Sequence, residues 1–269
     1  MAHKRPRKTA RRRKTRSKNN RKRKIIIGAI GLLFVVGFLA GVYWQFTRSR
    51  SDLFHTFDDT SFSDKYFVRG VDVSHHNSFI NWDQLREENI TFVYLKSTEG
   101  VTHKDKEYKD NYRLAKNAGL KVGTYHFYSF GVDGKQQAGH FIRSSNVFTD
   151  DMIPAIDVEH SKVNIAPKND ASRNEMLKEL KELEQALFDH YGKHPVIYTN
   201  KDCYRAYIES EFPENPIWIC DLRGEPDVAS DKWVIWQFSH SGNINGVLNN
   251  IDLNYYRYSF TDFKHLLMP

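Results

Sequence analysis

This chain of 269 residues is marked first by what its segments lack. Residues 1–24 carry no acidic side chain, and residues 25–46 carry no charge of either sign. Cysteine is scarce: only Cys203 and Cys220 occur. Two cysteines are too few for a disulfide framework or a four-thiolate zinc cage. In an exported protein they can pair, or they can remain two free thiols, and both outcomes stay open. No Gly-rich phosphate loop follows an apolar run, so a doubly wound nucleotide-binding sheet has nothing to support it.

The charge that is present is segregated. The chain has a net charge of +7, from 40 Lys and Arg against 33 Asp and Glu. Fourteen of the basic residues lie within residues 1–24, which leaves 26 against 33 for the remainder. The 22 residues from Ile25 to Phe46 follow directly. As a helix they would span roughly 33 Å at about 1.5 Å per residue, enough for a hydrocarbon core of about 30 Å. Tyr43 and Trp44 stand where an interfacial aromatic belt is expected. A cleaved signal peptide would have a shorter apolar core and a clearer small-residue cleavage site than Ala40-Gly41. The basic block lacks interleaved aromatics, so anionic lipid headgroups suit it and nucleic acid does not.

These features predict a single-pass membrane protein. Residues 1–24 form a basic cytoplasmic tail, 25–46 a transmembrane helix, 47–66 a polar linker and 67–269 a domain on the exported face. In that domain short apolar runs alternate with amphipathic stretches. Eight strands are predicted: 67–74, 91–97, 121–128, 152–159, 194–200, 216–222, 232–239 and 247–255. Helices are predicted at 82–88, 106–117, 136–148 and 171–191, with a shorter one at 203–211. The longest places Leu177, Leu180, Leu183, Leu187 and Tyr191 on one face. Strand–helix alternation implies parallel strands with crossover helices, and eight such strands close into a barrel. Only loop-length segments separate the last strands, so the helical jacket should be incomplete there.

Catalytic groups of a parallel barrel lie at the C-terminal ends of its strands. Here those ends carry Asp72, Glu99 and the pair Asp157 and Glu159. Alternate strand residues share a face, so Asp157 and Glu159 project together, with Cα atoms roughly 6.6 Å apart. Ile156 and Val158 turn the other way. A lone acid at a strand end is commonplace and usually caps the next helix. Two on one face, after Ile153-Pro154-Ala155-Ile156, cost free energy to bury unless function or a cation compensates. Such a pair serves glycosidic cleavage, which needs one carboxyl protonated and another ionised. Proximity and desolvation raise one of the two, and Glu159 is assigned the proton as general acid.

Seven motifs in order then resemble the glycoside hydrolase family 25 muramidases, the Chalaropsis-type lysozymes. They are Gly70–Asn77, Lys96–Gly100, Gly123–Phe127, Ile156–Glu159, Pro195–Thr199, Trp236–Phe238 and Ile251–Asn254, across residues 67–257. The resemblance implies a TIM-like barrel of five β/α units followed by three β strands. It also implies hydrolysis of the β-1,4 bond between N-acetylmuramic acid and N-acetylglucosamine in peptidoglycan glycan strands, without metal or cofactor. By carry-over Glu159 is the acid/base. Asp157 assists the substrate N-acetyl group as it attacks the anomeric carbon, giving net retention. Asp72 completes the catalytic cluster, Asp252 binds sugar, and Glu99, Tyr125, Tyr198 and Gln237 line the groove. Two positions depart from the pattern: Ser78 follows Asn77, and Cys220-Asp221 ends its strand.

Three rivals are weighed. A metal site from Asp72, His75, His76 and His126 is disfavoured because adjacent histidines alternate faces on a strand. A non-catalytic glycan-binding barrel would have no use for a protonated carboxyl. A chitin-type hydrolase would use the same Asp-x-Glu pair.

Overall fold

The computed structural model describes residues 65–77, 79–228 and 232–269. The basic tail, the uncharged run, residues 47–64 and Ser78 lie outside the described residues. Among those described, no helix is long and apolar enough to cross a membrane.

Eight strands form a closed ring. They are β1 (Val68–Val73), β2 (Ile90–Glu99), β4 (Lys121–Phe127), β5 (Ala155–Val158), β6 (Val196–Asn200), β7 (Ile217–Cys220), β8 (Trp233–Gly242) and β9 (Ile251–Tyr256). A two-residue strand, β3 (His103–Lys104), pairs only with the end of β2. Neighbouring barrel strands from β1 to β8 pair in parallel, and β9 closes the ring antiparallel to both β8 and β1. An antiparallel neighbour needs no crossover, which is why a loop suffices between β8 and β9. The beginning of β9, not its end, therefore reaches the barrel mouth, and Asp252 pairs in register with Asp72.

Helices α1 (Trp82–Glu87), α2 (Tyr108–Asn117), α3 (Gly134–Ser144) and α4 (Asp170–Tyr191) jacket the first half of the barrel. Local chemistry sets their ends. Asn81 and Asp133 accept from the backbone N–H three residues on, at the starts of α1 and α3. Asn169 and Ser172 form a reciprocal cap on α4, and Gly192 at φ +71° ends it in the left-handed region. Leu177, Leu180, Leu183 and Leu187 of α4 are buried, as their spacing predicts. The fifth crossover differs from its expectation. It has three α-helical residues, Lys201–Cys203, which widen into a π-helical stretch at Tyr204–Ile208. The fifth β/α unit is thus a remnant rather than a full helix.

Strand alternation sorts the apolar residues into two cores. Val71, Val93, Leu95, Val122, Ile156, Val158, Ile197 and Ile219 face outward to the helices. Val68, Phe92, Tyr94, Ala155, Val196, Trp218 and Ile235 fill the interior. The interior rings are admitted by glycine. A Cβ on Gly70 would stand 2.3 Å from the Phe92 ring, and one on Gly123 2.3 Å from the Tyr94 ring. Both positions must therefore stay bare. Tyr94 is pinned in turn, its hydroxyl donating to the Ile153 carbonyl at 2.9 Å and its ring stacking on Trp218 at 4.8 Å.

Candidate active site

Above this packed interior the inward residues become polar. A small cavity of about 120 Å³ at the C-terminal mouth is lined by Asp72, Tyr125, Asp157, Glu159, Tyr198, Trp218, His240 and Asp252. Asp157 lies inside because Ile156 and Val158, its neighbours on β5, face the outer core.

A fixed hydrogen-bond lattice forms one wall. Gln237 Nε2 donates to Asp72 Oδ2 at 2.8 Å and to Asp252 Oδ2 at 3.3 Å. Asn254 Nδ2 donates to the same Asp72 oxygen at 2.8 Å. Gln237 is itself oriented by the Tyr198 hydroxyl, which donates to its Oε1 at 2.7 Å. Trp218 Nε1 orients Asn254 by donating to its Oδ1 at 2.7 Å. His240 Nδ1 stands 3.2 Å from Asp252 Oδ1.

Asp157 is treated differently. Its side chain is buried, with the residue only 6% exposed, and Oδ1 has no hydrogen-bond partner among the described residues. Buried polar atoms are nearly always paired, so an unpartnered carboxylate oxygen on a residue that lines the cavity is an exception that calls for a functional account.

Electrostatics follow from this geometry. Burial, then the charge of Glu159, holds the Asp157 carboxyl well above the usual range. Burial raises Glu159 as well, while the charges of His240 and Lys96 pull it back. Asp72 is raised by burial and then by Asp252, with the Asn254 and Gln237 hydrogen bonds opposing. His240 is pushed up to about 11, first by its hydrogen bond to Asp252 and then by Cys220. The mouth therefore combines carboxyls that resist losing protons with one imidazolium.

Of the residues named from sequence, Asp72, Tyr125, Asp157, Glu159, Tyr198 and Asp252 line the cavity together. Gln237 lies behind Asp72 as its anchor and does not line the cavity. Glu99 does not line it either; it is held by Lys96 Nζ at 2.7 Å. His126 is fully buried between Thr98 Oγ1 at 2.7 Å and Gln137 Oε1 at 3.2 Å, with its ring lowered to about 4 by burial. His75 and His76 lie on a 3-10 turn with their rings 3.9 Å apart, not on opposite faces of a strand, and His75 Nδ1 is 2.8 Å from Asp105. Among the described residues no group of three or more His, Cys, Asp or Glu could hold a metal ion. Cys203 and Cys220 are free.

Two lining residues, Trp218 and His240, escaped sequence reasoning. Trp218 could have been found by parity, being two residues before the strand-end Cys220. His240 could not. Alternation from the outward Trp236 and Phe238 would also turn it outward, but register shifts between Gln237 and Ser239, and again before Gly242, rotate the chain.

Comparison with known proteins gives the family. Residues 71–247 match the model of Glycosyl hydrolases family 25. The chain belongs to this family. It is 30% identical over 187 residues to the autolytic lysozyme of Clostridium acetobutylicum, covering 70% of this chain and 55% of that one. The chain thus spans about half the length of that relative. A family 25 glycosyl hydrolase from Bacillus anthracis superimposes with a TM-score of 0.70 at 34% identity, covering 76% of this chain and 95% of that one. The lysozyme of Streptomyces coelicolor gives 0.69 at 27% identity, covering 74% and 96%. In this family 25 barrel the Asp157–Glu159 pair and the anchored Asp72 occupy the mouth where barrel enzymes place their chemistry.

Proposed function

We propose that this chain hydrolyses the β-1,4 bond between N-acetylmuramic acid and N-acetylglucosamine in peptidoglycan, with net retention. The observation that carries the reading is the buried, unpartnered oxygen of Asp157 beside Glu159. The family 25 relatives named lysozymes support the substrate class. An amide N–H of the substrate acetamido group supplies the donor that Asp157 lacks. That bond favours the ionised form of Asp157 and aims the acetamido oxygen at the anomeric carbon. The same sugar excludes water from Glu159, which favours its protonated form. The proton of the pair thus settles on Glu159 as substrate arrives, and Glu159 gives it to the leaving oxygen. The acetamido oxygen closes on the anomeric carbon, and Asp157 balances the positive charge that develops. Glu159 then takes a proton from water, which opens the cyclic intermediate from the opposite side. Asp72 and Asp252, held by Gln237, receive sugar hydroxyls.

Glu159→Gln keeps the shape of the side chain and removes the proton. Its release of reducing ends from purified peptidoglycan should fall by about 10²–10⁴-fold. Near wild-type turnover would eliminate the mechanism.

The sequence outside the described residues supports a further element, a tether. In this proposal residues 25–46 span a membrane, the basic residues 1–24 lie against anionic lipid on the cytoplasmic side, and the barrel works on the exported face. Protease added outside intact cells should remove the barrel and leave the basic tail protected.

A further inference from the structure

Beside the catalytic cavity lies a second groove of about 380 Å³ that shares Glu159, Tyr198 and His240 with it and is walled by Cys220. The two cysteines of the chain occupy opposite environments. Cys203 is fully buried, and burial pushes its thiol up to about 11. Cys220 is half-buried at the end of β7. It lies two residues beyond the interior Trp218, so its side chain is on the site face of the strand.

Cys220 is not an isolated thiol. Its Sγ is 3.5 Å from His240 Nε2, while Nδ1 of the same ring is 3.2 Å from Asp252 Oδ1. Asp252–His240–Cys220 is a carboxylate–imidazole–thiol relay, the arrangement that activates cysteine as a nucleophile. Nothing in glycosidic cleavage uses a thiol. Sulfur chemistry here would place a new group in the groove that opens onto Glu159.

We propose that Cys220 is a reversible modification site for low-molecular-weight disulfides, activated by His240 and Asp252, and that the mixed disulfide shuts the hydrolase off. The inhibitory half rests on the proposed hydrolysis; the modification itself does not. In the step, His240 holds the thiol proton and the Cys220 thiolate attacks one sulfur of the disulfide RS–SR. The Cys220–S–SR bond forms as the S–S bond breaks, and RS⁻ leaves with the electron pair. A free thiol reverses the step and regenerates Cys220. The groove at Cys220 is lined by Glu159, Asp202 and Asp221 and equally by Lys201, Arg223 and His240, so its charges offset one another and an uncharged disulfide meets no electrostatic barrier.

The probe is dithiodipyridine, uncharged and chromogenic, applied to the full-length protein. One equivalent of thiopyridone should appear from the native protein and the second, from Cys203, only after denaturation. Mass spectrometry should place the adduct on Cys220. Labelled protein should lose at least about tenfold of its peptidoglycan hydrolysis and recover it with dithiothreitol. His240→Asn removes the imidazole beside the thiol and should slow labelling at pH 7 by roughly tenfold. Cys220→Ser and Cys220→Ala should hydrolyse equally with and without the disulfide. The proposal is overturned if Cys220 labels only after denaturation, if full labelling leaves hydrolysis unchanged, or if His240→Asn labels at the wild-type rate. Untreated wild type that fails to hydrolyse peptidoglycan defeats the hydrolase reading instead, and the labelling rates still decide whether the relay activates Cys220.

Discussion

Replacing Asp157 by Asn should make this protein more stable and less active at once. The residue is 6% exposed, its Oδ1 is unpaired among the described residues, and its carboxyl is raised by burial and then by Glu159. A buried acceptor left unsatisfied costs about 1–3 kcal/mol, and more when it is ionised. Asn has the same shape, so the substitution opens no cavity; it removes the charge and replaces one acceptor oxygen by an amide donor. The expected gain at pH 7 is about 1–3 kcal/mol. At roughly 2–4 °C per kcal/mol for a domain of this size, the midpoint should rise by roughly 2–12 °C. The pH dependence has a definite sign. The folded carboxyl binds its proton more tightly than the unfolded one, whose value is about 3.9. Wild-type stability is therefore full below that value and is lost as pH rises through the raised folded value. Asn has no such dependence, so the advantage of the variant should be near zero at acid pH and grow toward neutrality. Thermal unfolding of both proteins across this range, with peptidoglycan hydrolysis measured alongside, makes the comparison. A variant less stable at neutral pH, or offset equally at every pH, would refute the reasoning, because Asp157 would then be ionised and already satisfied.

His240→Asn removes the cation that pulls Glu159 down, so the alkaline limb of the kcat/KM profile, which needs protonated Glu159, should move to higher pH; a limb that stays or moves down contradicts this. Gly123→Ala would drive a Cβ to 2.3 Å from a Tyr94 ring that Ile153 and Trp218 hold in place. Its urea midpoint should fall by the equivalent of about 1–3 kcal/mol at unchanged slope, and a loss under about 0.5 kcal/mol would mean the ring can move.

The parts legible in the sequence are those written in side-chain period. Eight apolar runs mark eight strands, and the leucine spacing of α4 marks its buried face, because burial on one side imposes a repeat. Asp157 and Glu159 were readable for the same reason: one valine between them leaves a shared face. What escaped depends on long-range pairing. The direction of β9 is set by its neighbours β8 and β1, and nothing local to Ile251–Tyr256 encodes it. His240 reaches the mouth only through irregular register in β8. The unpaired state of Asp157, against the doubly anchored Asp72, is a property of the assembled lattice; both read as strand-end acids in the sequence.

Mass spectrometry of peptidoglycan digested by the purified protein most directly tests whether protonated Glu159 and ionised Asp157 hydrolyse the muramic acid linkage. The account predicts fragments ending in reducing N-acetylmuramic acid, absent from digests with Glu159→Gln. Anhydro-muramic ends, reducing glucosamine ends, or intact glycan would contradict it.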